Sequence, residues 1–186
     1  GFGDAAEIQG YVEELIRTSN AGTLQSGADM TKPEEIRAMV ADCTAKLGAP
    51  DILINNAGIQ HVSPVDSFPE DKWDAIIAII LSSAFHTTKA VVPAMKEKGW
   101  GRIINTGSMH SLVASPFKSA YVAAKHGLIG LSKTVAVELA EFGVTSNTIC
   151  PGYVKTPLVE KQIKDQAKAH GISPEQVVRD VMLSHQ

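Results

Sequence analysis

Three short apolar runs, Asp51-Ile-Leu-Ile-Asn55, Arg102-Ile-Ile-Asn105 and Val144-Thr-Ser-Asn-Thr-Ile149, recur along the chain with long helical patterns between them. A strand that must cross over a helix of a dozen or more residues before the next strand returns to the sheet in parallel, because a tight hairpin is no longer available. The first intervening pattern runs from about Pro69 to Lys98 and carries Trp73, Ile76, Ile77, Ile80 and Leu81 at helical spacing, until Gly99 and Gly101 release the chain. The second runs from about Lys118 to Phe142, where Gly143 ends it. This alternation predicts an α/β domain built on a doubly wound parallel sheet with helices on both faces. Ligands of such sheets sit beyond the carboxyl ends of the strands.

The remaining chain fits the same plan. Ala5, Ile8, Val12, Leu15 and Ile16 mark a helix from Asp4 to Ser19, and a short strand is expected at Thr23–Gly27. Thr31 precedes Lys-Pro-Glu-Glu, which reads as a cap, a first-turn proline and two acids, opening a helix that runs to Gly48. The run at 51–55, bounded by Pro50 and Gly58, suits a buried parallel strand. Past Pro157, short amphipathic helices separated by Gly171 and Ser173-Pro174 read as a lid. Residues 1–186 are expected to form one dinucleotide-scale domain, with 153–186 as substrate-loop and lid helices.

Composition narrows the function classes. With 44% hydrophobic and 20% charged residues and a net charge of -3, the chain has the balance of an ordinary globular protein. There is no basic excess to track phosphates, so nucleic-acid binding is not expected. Cys43 and Cys150 lack any CxxC spacing, and the six histidines show no ligand pattern, so neither a disulfide framework nor a metal site is expected. The longest apolar run, Ala75 to Leu81, is too short to span a bilayer, and a soluble, cytoplasmic protein is the expectation.

Several residues at the strand ends can carry chemistry. Tyr121 and Lys125 lie four apart, about one helical turn, so they share a face. Taken alone the pair fits either a surface contact or a phenol whose pKa the ammonium lowers, ready to act as a base. Asn55-Asn56-Ala57-Gly58 directly follows a strand, where small residues let a backbone pass close to a cofactor, although an ordinary turn reads the same. Ser108 follows the second strand and Pro151-Gly152 the third, in equivalent positions.

NNAG, Ser108, Tyr121-x-x-x-Lys125 and Pro151-Gly152, in that order, resemble the short-chain dehydrogenase/reductase family over nearly the whole chain. The resemblance implies a Rossmann-type fold and a bound nicotinamide dinucleotide. It implies Ser108, Tyr121 and Lys125 as the catalytic set, with Tyr121 the general base. Asn-Asn-Ala-Gly-Ile-Gln-His at 55–61, the run at 118–127 and Thr-Pro-Leu-Val-Glu-Lys-Gln-Ile at 156–163 are similar to members that oxidise (R)-3-hydroxybutyrate to acetoacetate with NAD. That likeness implies substrate contacts from Gln60, His110, Lys118, Tyr153 and Gln162. It implies cofactor contacts from Phe2, Asp29, Met30, Asn56, Ala57, Gly58, Pro151, Gly152, Val154 and Thr156, besides Tyr121 and Lys125. No Lys or Arg lies within Gly1–Asp4 to accept a 2′-phosphate, which favours NAD.

Three departures from the family pattern bear on activity. The Thr-Gly-x-x-x-Gly-x-Gly loop that would hold the pyrophosphate is not found, and neither it with its strand nor a last strand is expected in this chain, which reads as part of a longer protein. Ile80 stands where the family usually has an asparagine that supports a water relay, and weaker proton transfer is expected. Tyr153 replaces a tryptophan, keeping an aromatic wall. The family likeness also implies a homotetramer joined through the long helices. Other readings are a reductase of 3-oxoacyl or sugar substrates and a non-catalytic relative acting through protein contacts.

Overall fold

All three short apolar runs pair side by side. In the computed structural model, which describes residues 4–19, 21–154 and 157–182, β1 (Ile52–Asn55), β2 (Gly101–Thr106) and β3 (Val144–Ile149) form one parallel sheet in that order. Leu53 sits opposite Ile103, and Ile103 opposite Ser146. The Rossmann-type α/β architecture is therefore the expected one.

The crossovers are α3 (Glu70–Ile77), which continues through a π turn at Ala78–Ser82 into α4 (Ser83–Lys98), and α5 (Ser119–Leu139). With α2 (Pro33–Leu47) they close one core, in which Val40, Val91, Met95, Val135 and Leu139 meet Ile103 and Val144 of the sheet. A second cluster joins Ile76, Ile80 and Ala84 to Ala120, Ala124 and Leu128 of α5. The small alanines let the two helices approach closely, so α5 is seated on the π turn. The helix continuous from Glu70 to Lys98 is long and apolar enough by length and composition to cross a bilayer, although its longest unbroken apolar run, Ala75 to Leu81, is short. Here it spends those side chains on the core and on α5.

Other expectations are corrected. Thr23–Gly27 forms no strand, because an extended segment becomes one only against a hydrogen-bonded neighbour and none of the described strands pairs with it. Its end still reaches the sheet, since Gly27 to Met30 border the Ala57-Gly58 turn. β1 is not buried on both faces: Ile52 and Ile54 are 54% and 61% exposed, while Leu53 between them packs on the core. Thr31 does not cap α2, for its backbone N–H and hydroxyl both donate to Asp29 Oδ1 and Lys32 takes the cap position. α1 (Ala5–Ser19) forms as expected with Asp4 accepting from the N–H groups of Ala6 and Glu7, but Tyr11, Leu15 and Ile16 remain exposed.

Helix ends follow the sequence closely. A short 3₁₀ turn, Ala140–Phe142, ends α5, and Gly143 then turns with φ +66° into β3. A Cβ at Gly143 would collide with the Gly99 carbonyl oxygen, so both backbone conformation and space demand glycine. Gly130, inside α5, has nothing within 4 Å of a built Cβ. Gly143→Ala is expected to destabilise the fold by about 2–4 kcal/mol, whereas Gly130→Ala is expected to be neutral or to stabilise by up to about 1 kcal/mol. Urea unfolding midpoints of the two variants check this.

Candidate active site

The carboxyl ends of β1 and β2 are tied together by side chains. Asn55 Nδ2 donates to Asn105 Oδ1 at 2.9 Å, Thr87 of α4 donates to Asn55 Oδ1 at 2.7 Å, and Asn105 Nδ2 reaches the Asn147 carbonyl at 3.4 Å. The first asparagine of NNAG is thus a clamp, and Asn56 and Gly58 face the cleft. Beyond β2, the Gly107 N–H donates to the Ile149 carbonyl and the Met109 N–H to the Pro151 carbonyl, which draws Ser108 beside Pro151-Gly152. A Cβ on Gly107 would lie 2.6 Å from Thr148 Cγ2, so this crossing needs glycine.

A cleft of about 420 Å³ opens here, lined by Asn56, Ser108, Tyr121, Lys125, Gly152 and Val154 among others. It shares Gly58 and Ile59 with a second hollow of about 330 Å³ bordered by Asp29, Met30 and Ala57. The two together give an elongated trough across the strand ends, with an ionised acceptor at one end: Thr31 bonds hold the Asp29 carboxyl below its ordinary pKa. Lysine, glycine turns and an acidic acceptor in this order fit a dinucleotide. Phe2 and Thr156 lie outside the described residues.

Lys125 Nζ donates to the Thr106 carbonyl at 2.5 Å and lies 5.5 Å from the centre of the Tyr121 ring. Burial lowers Lys125 to about 8 and pushes the Tyr121 phenol up, with the Ser108 side chain pulling it back only in part. The expectation that Lys125 lowers the tyrosine pKa is corrected: the ammonium is turned to a backbone carbonyl, and burial of the phenol wins. Ser108 is held by a reciprocal cap, its Oγ accepting from the His110 N–H while its own N–H donates to Ser111 Oγ.

The substrate candidates gather next to this trio. The His110 ring stands edge-on to Tyr121 and Tyr153, at 6.1 and 6.2 Å between centroids. Its Nε2 lies 2.7 Å from Ser115 Oγ and its Nδ1 3.4 Å from Ser108 Oγ. Burial first, and then the Lys118 charge, push His110 down to about 4, so it is neutral at physiological pH. A neutral imidazole beside Ser108 can still take part in a hydrogen bond, and the expected substrate contact from His110 would be of that uncharged kind. Lys118 is 2% exposed and donates to Tyr153 Oη at 3.1 Å. Gln60 has a buried Nε2 without a hydrogen-bond partner among the described residues, and Gln162 is buried on α6 (Pro157–His170). Sequence reading missed the Asn55–Asn105 clamp, the Thr106 carbonyl and buried Gln166, which lies one turn beyond Gln162; the i, i+4 glutamine pair was the available signal.

The profile of the family described as short chain dehydrogenase matches residues 4–167. The D-beta-hydroxybutyrate dehydrogenase of Rhizobium meliloti is 59% identical over all 186 residues, which span 72% of that relative. The protein of the same name from Cupriavidus necator is 52% identical over the whole chain and 71% of its own length. A crystal structure of a gluconate 5-dehydrogenase from Burkholderia cenocepacia, in complex with NADP and tartrate, has a TM-score of 0.71 at 36% identity, over 75% of this chain and 55% of that one. The chain belongs to the short chain dehydrogenase family. With that membership it is placed among oxidoreductases that use a nicotinamide cofactor, and the trough across the strand ends is the part of the fold shaped to hold one.

Lys118 carries a cost that can be measured. Burial brings its pKa from 10.5 to about 8. Between those values the folded protein binds fewer protons than the unfolded chain, so this group makes stability rise with pH across that window, and its penalty is fully present below it. Lys118→Met is expected to stabilise the fold near neutral pH by about 1–3 kcal/mol, with the gain shrinking from pH 8 toward 10.5. Thermal unfolding across this range checks the sign.

Proposed function

We propose that this site oxidises (R)-3-hydroxybutyrate to acetoacetate, reversibly, with NAD as the hydride acceptor. The observation that carries the reading is Lys118: a buried ammonium facing no carboxylate among the described residues, beside the Ser108–Tyr121 pair. An uncompensated buried cation is a binding site for an anion. Lys118 caps α5 and Tyr121 follows three residues later, so the two lie roughly 5–6 Å apart on one helix face. That interval suits an acid whose hydroxyl sits two carbons from its carboxylate. The names of the Rhizobium meliloti and Cupriavidus necator relatives support the same substrate.

A nicotinamide cofactor bound in the trough would supply the acceptor for the hydride leaving the carbinol carbon. Tyr121, as phenolate, takes the hydroxyl proton, and Ser108 Oγ donates a hydrogen bond to the same oxygen. Against the burial that raises Tyr121, the Ser108 side chain already favours phenolate, and the positive charge of an oxidised nicotinamide would add to it. Lys125, Asn56, Gly58, Pro151, Gly152, Val154 and Thr156 are assigned to the nicotinamide half, and Asp29, Met30, Ala57 and Phe2 to the adenosine half. The Asp29 carboxylate, kept ionised, disfavours a 2′-phosphate and supports NAD over NADP. We further place the contact between subunits on the exposed face of α4 and α5, where Phe85 and Leu131 border an apolar hollow of about 350 Å³.

NADH formation is compared for the D acid, its L enantiomer and a neutral 3-hydroxy ester. D-specific turnover that needs the carboxylate is the expected result, with Tyr121→Phe lowering it by about 10²–10⁴-fold. Turnover of the ester at least as fast as the acid would favour a 3-oxoacyl or sugar reductase, and silence without NAD binding a non-catalytic relative. Ile80, 2% exposed, packs with Ala120 and Ala124 of α5 and against Gly58 at the cleft, and offers no hydrogen-bonding group there. Ile80→Asn is expected to raise kcat by about tenfold, or ~1.4 kcal/mol of barrier; an unchanged kcat would show that the isoleucine does not slow proton transfer.

A further inference from the structure

We propose that Gln166 is a specificity-determining residue of this site, which, through the Tyr153 hydroxyl, forms a second arm of the carboxylate clamp opposite Lys118. The inference rests on the reading of Lys118 as the seat of a substrate carboxylate. α6 presents two glutamines inward, Gln162 and Gln166, 8% and 2% exposed, while Lys164, Asp165 and Lys168 face solvent. One turn separates the pair, so both lie on the face that closes over the site.

A buried primary amide is an expensive way to fill space. Neither Oε1 nor Nε2 of Gln166 has a hydrogen-bond partner among the described residues. Both groups are thus desolvated without return, where leucine or methionine of similar size would lose nothing. Its polar neighbour is Tyr153: the Gln166 amide holds the phenol below the pKa that burial alone would impose, although the two do not complete a hydrogen bond. On the other side Tyr153 Oη accepts from Lys118 Nζ at 3.1 Å. The hydroxyl therefore stands between a cation and an unsatisfied amide.

This arrangement changes when an anion arrives. A carboxylate has two oxygens and several lone pairs, and one ammonium does not satisfy them all. Lys118 turns to one oxygen and releases Tyr153 Oη. The Tyr153 O–H then donates to the second oxygen, and Gln166 Nε2 replaces the lysine as donor to Tyr153 Oη, which polarises the phenol toward the anion. A neutral ester or amide lacks the second charged oxygen and gains little from this chain. The clamp thus selects small carboxylic acids over their neutral derivatives.

The test compares kcat/KM for (R)-3-hydroxybutyrate and for its methyl ester in the wild type, Gln166→Met, Tyr153→Phe, the double variant and Lys118→Ala. Gln166→Met and Tyr153→Phe are each expected to lower the preference for acid over ester about tenfold, mainly through KM of the acid. The double variant is expected to lower it no further, because the amide works through the hydroxyl. Gln166→Glu, which sets a like charge behind the phenol, is expected to lower it more than Gln166→Met, and it keeps the question open to decision if the methionine variant does not fold. An unchanged preference in Gln166→Met, beside a lost one in Lys118→Ala, would overturn the role of Gln166; additive losses in the double variant would overturn its action through Tyr153. If Lys118→Ala also leaves the preference intact, the carboxylate seat itself fails.

Discussion

The site depends on a line of polar contacts across the strand ends. Thr87, Asn55, Asn105 and the Asn147 carbonyl join α4 to β1, β2 and β3 in succession. Parallel strands have no hairpin to set their register, and their pairing is slightly weaker per residue than antiparallel pairing. Side-chain amides that bond sideways supply what a turn would: a slip of one residue would turn Asn55 away from Asn105 and leave buried amides unpaired. Because the line runs just below the cleft, it fixes where Asn56 and Gly58 leave β1 and where Gly107 and Ser108 leave β2. Ser108, the proposed hydrogen-bond donor to the reacting oxygen, is thus placed by sheet register, before any ligand contributes.

The cleft above that line is built from groups that do not favour folding. Lys118 and Lys125 are nearly excluded from water, with pKa values brought down to about 8 by burial, and His110 is held neutral. Their compensation is incomplete: a tyrosine hydroxyl for Lys118 and a backbone carbonyl for Lys125. Neither partner is an anion. Protein interiors tolerate such charges where a ligand completes them, and this is the physical basis on which the proposed carboxylate and cofactor contacts are assigned to the two lysines. The apolar work that offsets this cost is done behind the site, where Ile76, Ile80 and Ala84 pack against Ala120, Ala124 and Leu128 and hold α5 firmly.

How far the sequence discloses this depends on whether a feature is local. Tyr121 and Lys125 are legible because helical spacing alone brings them to one face, and the β-α-β alternation is legible because long apolar periods and glycine stops are written along the chain. Thr23–Gly27 was misread because strand formation requires a neighbour, which no local pattern reports. Ile52 and Ile54 look like core residues by type, yet their exposure is decided by what covers the sheet face. The Asn55–Asn105 bond needs the register of two strands fifty residues apart. Burial itself was the hardest to read: it reversed the expected direction for Tyr121, made His110 neutral, and hid Gln166 in a helix that looks amphipathic and ordinary.

One backbone distortion ties α6 to the segment that carries the buried lysine. Phe117, just before Lys118, is the non-glycine residue with positive φ among the described residues, at 67°. Such a conformation costs of order 1–3 kcal/mol in a bulky residue and persists only where its surroundings impose it. Two contacts do so. The Phe117 carbonyl accepts from the Ser63 N–H in the loop after β1, and its ring packs edge-on against His170, the last residue of α6, at 4.9 Å between centroids. Phe117 thus joins the loop after β1 to the end of α6 at the position directly before the buried Lys118, so the helix that carries Gln162 and Gln166 is anchored next in sequence to the cation.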